Sequence, residues 1–117
     1  MHAPLHPHST VLLQDARELA FADRHSEALA VARNVLAITP ECLAALDLAA
    51  RCSWNLGDRE GAEEYRRAAI RVNPPCAEAY NNLAGLLSAT GRQGEAQSCY
   101  RRALEIHPEN AEACVNL

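Results

Sequence analysis

The chain has 117 residues, 49% hydrophobic and only 4% aromatic, and carries a formal net charge of −4. That length suits one domain, and so few aromatics leave a core built from Ala and Leu, which favours closely packed helices over a β-sandwich. The acidic balance argues against nucleic-acid binding, which needs a basic face, and no stretch approaches the ~20 apolar residues of a membrane-spanning helix.

Residues 1–8 have no helical period. His2, His6 and His8 stand there among Pro4 and Pro7, and the segment reads as a disordered tail rather than a metal site. It has no cationic region followed by an apolar stretch, so it is not a secretory signal, and the expected location is cytoplasmic. Cys42, Cys52, Cys76, Cys99 and Cys114 are odd in number and lack CxxC spacing. They read as free thiols in a reducing compartment.

From Ser9 onward the sequence repeats every 34 residues. Pro40, Pro74 and Pro108 keep that spacing, as do Ala28, Ala62 and Ala96, and Ala16, Ala50 and Ala84. Asp23, Gly57 and Gly91 form a further column. The frames are 9–42, 43–76 and 77–110, with a partial fourth copy at 111–117. Each frame reads as two helices. In the first, Asp23 marks the break between them, because Asp tolerates the left-handed conformation better than most residues. In the second and third, Gly57 and Gly91 supply the break. Tyr80, Leu83, Ala84 and Leu87 follow the i, i+3, i+4, i+7 pattern of an apolar helical face. Each proline ends the second helix of its frame, because the residue before it is pushed out of the helical region. The alanine columns place small side chains where two helices cross closely, with Ala84 facing Ala96 and Ala50 facing Ala62.

The stretch 77–110, AEAYNNLAGLLSATGRQGEAQSCYRRALEIHPEN, resembles the tetratricopeptide repeat: Tyr80-x2-Leu83-Ala84-x2-Leu87, then Ala96-x3-Tyr100, then Pro108. Ala32 and Arg66 depart from the pattern in the column of Tyr100, where Tyr65 is expected to cover part of the gap. The resemblance covers residues 9–117. It implies an all-α, right-handed superhelix of antiparallel helix hairpins, with three repeats and a truncated fourth. It also implies a protein or peptide partner in a concave groove lined by the first helices.

Side chains opposite the packed face of each first helix are expected in that groove. They are Leu13, Gln14, Arg17 and Phe21, then Asp47, Leu48, Arg51, Trp54 and Asn55. Glu78, Asn81, Asn82, Gly85 and Ala89 follow, and Val115 and Asn116 continue the line. Amides suit peptide backbone, Arg suits a carboxylate, and Trp suits a side-chain anchor. Gln14, Asn82 and Asn116 share a register broken by Leu48. This column resembles the asparagine ladder of O-GlcNAc transferase repeats, although Asn is also ordinary consensus there. The third frame is similar to repeats of that enzyme group, so the alternative function is a substrate-recruiting arm of a larger glycosyltransferase-like enzyme. The chaperone-binding subset of the family uses Lys and Asn residues as a carboxylate clamp. This chain has no Lys, and Leu13 and Leu48 stand in groove columns, so the resemblance does not extend to that clamp.

Nothing in the sequence arranges a catalytic set, a cofactor loop or a metal site. Gly91-Arg92-Gln93-Gly94 is a hairpin turn. Arg66, Arg67, Arg71, Arg101 and Arg102 alternate with Glu60, Glu63, Glu64 and Glu105 as on a solvated convex face. The fourth copy stops after two turns without a polar cap, so the chain is expected to be an N-terminal fragment that self-associates through its open C-terminal end.

Overall fold

The computed structural model describes residues 7–108, and all regular structure among them is helical. The helices are α1 (Pro7–Phe21), α2 (His25–Ile38), α3 (Leu43–Asn55), α4 (Arg59–Val72), α5 (Ala77–Ala89) and α6 (Gln93–Ile106). α1 opens at Pro7, two residues ahead of the expected repeat start and within the expected tail. Proline suits that first helical position because the N–H it lacks has no intrahelical partner there. The rest of the tail and the partial fourth copy lie outside the described residues. With them lie Asn116 and the end expected to self-associate.

Each hairpin turn closes in the same way. Asp23, Gly57 and Gly91 all have positive φ, at 61°, 86° and 82°. The residue after each returns its N–H to a carbonyl five residues back: Arg24 to Leu19 at 2.9 Å, Asp58 to Ser53 at 2.8 Å and Arg92 to Leu87 at 2.8 Å. These bonds satisfy carbonyls that the end of a helix would leave open. The second helices then start differently. Asp58 caps α4 by accepting the Gly61 N–H at 2.9 Å. Arg24 and Arg92 instead make forked ion pairs with Glu27 and Glu95, with shorter contacts of 2.6 and 2.7 Å. α2, α4 and α6 end two residues before Pro40, Pro74 and Pro108, where the residue preceding each proline leaves the helical region.

The chain divides into two compact units between Ala69 and Ile70, inside α4. In the first unit Ala16, Ala28, Leu29, Ala32, Leu48 and Cys52 form one buried cluster, and Tyr65 packs against it. Arg33 Nε donates to the Tyr65 hydroxyl at 3.1 Å, so Tyr65 both covers the core and satisfies its polar tip. A second cluster joins Leu13, Val35, Cys42 and Ala45. In the second unit Leu83, Ala84, Leu87, Ala96, Tyr100 and Ala103 are buried together. Ala16, Ala28, Ala62, Ala84 and Ala103 have no exposed surface, and Ala50 and Ala96 retain 1%. Such contacts let helix axes approach to about 8 Å.

Ala96→Leu should therefore wedge α5 from α6 and cost roughly 1–3 kcal/mol. Guanidinium unfolding of the variant beside the parent checks this, with a lower midpoint expected.

Candidate functional site

On a helix, residues three and four apart share a face. Along α1 this brings Leu13, Gln14, Arg17 and Phe21 to one side, and along α3 it does the same for Ala44, Leu48, Arg51 and Asn55. In the first unit these two rows meet around two adjoining pockets. One, of about 240 Å³, is lined by Arg17 and Phe21 of α1, His25 of α2, and Leu48, Arg51, Cys52 and Asn55 of α3, with Ala20. The other, of about 390 Å³, is lined by Thr10, Val11, Leu13, Gln14, Asp15 and Ala44. Arg17 lines both.

The 240 Å³ pocket combines two arginines with apolar side chains. Arg17 is exposed and makes no ion pair among the described residues. Arg51 Nε lies 3.3 Å from Asp47 Oδ2. Asp47 Oδ1 in turn accepts a 2.5 Å hydrogen bond from Arg66 Nη1 of α4. One carboxylate thus holds two guanidinium groups and tethers Arg51 at the pocket wall. The His25 ring is largely buried; its Nε2 lies 3.6 Å from Asp23 Oδ1, and its Nδ1 is buried without a hydrogen-bond partner. Burial pushes the Cys52 thiol above its ordinary range, and the Arg51 charge only partly offsets this. Cys52 is therefore a neutral wall of the pocket rather than a nucleophile.

Several side chains stand elsewhere than the sequence predicts. Leu13 and Leu48 are 3% and 2% exposed. They sit at the boundary of the helical face, where the neighbouring helix covers them, and they floor the pockets instead of projecting into a groove. Asp47 lines neither pocket, because the Arg66 bond draws it toward α4. Arg66, expected on a solvated face, has a side chain only 14% exposed. Trp54 is half-buried with the Arg59 guanidinium 5.2 Å from its ring centre, a cation–π arrangement at the α3–α4 turn. Gln14 is exposed and donates to Glu18 at 3.2 Å. In the second unit Glu78, Gly85 and Ala89 are exposed and Asn82 is half-buried. Asn81 is buried at 7% exposure, and its Oδ1 has no hydrogen-bond partner. α1 ends at Phe21, so its period does not carry over to His25, and the closed α1–α2 turn brings His25 to the row. Cys42, Cys52 and Cys76 are free thiols, and Cys114 lies outside the described residues.

Two family models, each described as tetratricopeptide repeat, match the chain at residues 43–76 and 77–110. The chain belongs to the tetratricopeptide repeat family. No curated protein sequence matches it. Among solved structures it is similar to the first tetratricopeptide domain of Spaghetti (RPAP3) bound to the HSP90 peptide SRMEEVD, at 23% identity and a TM-score of 0.81. That likeness covers 93% of this chain and 86% of the other. It is similar to the Sgt2 tetratricopeptide domain of Aspergillus fumigatus at 20% identity and a TM-score of 0.83, over 96% and 76% of the two chains. It is also similar to an O-GlcNAc transferase of Thermobaculum terrenum at 25% identity and a TM-score of 0.77. That match covers 97% of this tetratricopeptide chain but 22% of the transferase. No helix among the described residues is long and apolar enough to cross a membrane.

The Asp47 bridge makes one stability statement. Asp47→Asn keeps the shape but leaves the half-buried Arg66 with a neutral partner, so the variant should lose about 1–2 kcal/mol. Thermal unfolding checks this, and a lower melting temperature is expected.

Proposed function

We propose that the chain is a protein-interaction module that binds an extended segment of a partner protein, with the α1–α3 pockets of the first unit as its principal contact. The observation that carries this reading is the convergence of Arg17, Arg51 and Asn55 on one pocket. A guanidinium pair suits a carboxylate or backbone carbonyls, and Asn55 suits a peptide group. The likeness to a tetratricopeptide domain that holds a peptide supports the class of ligand. Gln14, in the adjoining pocket, and Glu78 and Asn82 of the second unit are proposed as further contacts. Trp54 is proposed to contribute its ring edge while Arg59 covers its face. The free thiols Cys42 and Cys52 fit a reducing, cytoplasmic setting.

Replacing both Arg17 and Arg51 with Ala tests the site. Both side chains are exposed, so the fold should be unaffected. Partner capture should weaken about tenfold or more, the scale of interface residues that matter. Unchanged capture by the doubly substituted chain would place the contact elsewhere.

A second reading has its own support in the match to the Thermobaculum terrenum transferase over 97% of this chain. Under it the module recruits substrates for a larger glycosyltransferase-like enzyme. The native open reading frame should then run past the Leu117 codon into further repeats and a catalytic domain. Sequencing the locus decides between the two readings.

A further inference from the structure

We infer that the first-unit pockets select an internal acidic side chain flanked on both sides by apolar ones, rather than an acidic chain terminus. The inference rests on the peptide-binding reading above and adds the identity of the segment bound.

Arg17 joins the two pockets, because it lines both. A chain held at Arg17 has a built surface on each side of it. A site for a chain terminus needs a surface on one side only. Beyond Arg17 toward the start of α1 lies Val11, 59% exposed. Beyond it toward the end of α1 lies Phe21, 95% exposed. Large apolar side chains left this open at the rim of a pocket are places where a partner gains by covering them.

The 240 Å³ pocket is lined by two arginines and no acidic residue, whereas Asp15 stands in the lining of the adjoining pocket. Arg17 makes no ion pair among the described residues, and Asp47 engages Arg51 on one side only, with the Arg51 side chain still 59% exposed. The pocket presents donors and no carboxylate among its lining residues, so an anionic side chain is the complementary occupant.

The spacing follows from helix geometry. Val11 precedes Arg17 by six residues and Phe21 follows it by four, which at 1.5 Å per residue is roughly 9 Å and 6 Å of helix. An extended peptide advances about 3.3 Å per residue. The acidic residue therefore has one apolar neighbour about three positions away and the other about two.

The test uses the full 117-residue chain and short synthetic peptides, acetylated and amidated so that neither end is charged. One set carries Leu-x-x-Glu-x-Leu and its reverse, with x as Ser or Ala. A second replaces Glu with Gln, a third replaces both Leu with Ser, and a fourth bears a free C-terminal carboxylate with no internal acid. Binding is read by fluorescence anisotropy. The expected result is binding of one orientation of the first set, weakened about tenfold or more by Glu→Gln and by loss of the two Leu. Arg17→Ala, Val11→Ser and Phe21→Ser should each weaken it, while circular dichroism stays as in the parent. Preference for the fourth set would overturn the internal-acid inference. So would equal affinity for the Glu and Gln peptides. In both of those cases the peptide-binding reading stands. If no set binds, a random peptide display selected on the same chain separates the two claims. Enriched peptides without the acid–apolar pattern overturn this inference alone, and no enrichment overturns the peptide-binding reading with it.

Discussion

The close approach of paired helices over alanine is the contact on which the remaining features depend. With Ala16 and Ala28 buried in one cluster and Ala84 and Ala96 in another, the hairpins have no room for larger side chains at their crossings. Packing at near-crystalline density makes such contacts intolerant of even modest volume changes. In the first unit the aromatic groups lie at the edges. Phe21 ends at the rim of a pocket, Trp54 at a turn under Arg59, and Tyr65 over the outside of the first core. Tight hairpins thus hold α1 and α3 at fixed positions, and the pocket-lining groups ride on their outer rows.

Local charge in the first unit runs against the charge of the whole chain. The net balance is −4, yet the 240 Å³ pocket is lined by two arginines and a histidine and by no carboxylate. Asp47 stands just outside and bridges Arg51 to Arg66. This arrangement spends a carboxylate on orientation: Arg51 loses some of its attraction for a ligand and gains a defined position. Charged hydrogen bonds of this kind are stronger than neutral ones, and the Arg66 side, at 14% exposure, is shielded from salt more than the Arg51 side.

The three hairpin turns reach one backbone geometry by different chemistry. Gly57 and Gly91 adopt positive φ without steric cost, whereas Asp23 does so with a side chain. Asp58 caps its helix directly, while Arg24 and Arg92 set a forked pair with the glutamate at the third helical position. Exposed pairs of this kind contribute little each, so the geometry rests mainly on the turn's own backbone bonds. The boundary between the compact units falls inside α4 and not between sequence repeats. The repeat of the sequence and the division of the packing are therefore separate properties of the chain.

Helix positions, turn positions and the alanine crossings were legible in the sequence, because each is set by local rules. Proline and glycine act on their own dihedral angles, and a helix of fixed period sends every third or fourth residue to one face. The site was legible only in part. Periodicity placed Arg17 and Phe21 on one row of α1 and Arg51 and Asn55 on one row of α3, and these four line one pocket. It could not say that Leu13, Leu48 and Asn81 are buried, since residues at the border of a face are covered or open according to what packs beside them. Nor could it say that Asp47 serves Arg66, a partner 19 residues away on another helix, or that the α1–α2 turn sets His25 in the pocket wall. Those outcomes depend on distances between elements, which a one-dimensional period does not contain and only the assembled hairpins decide.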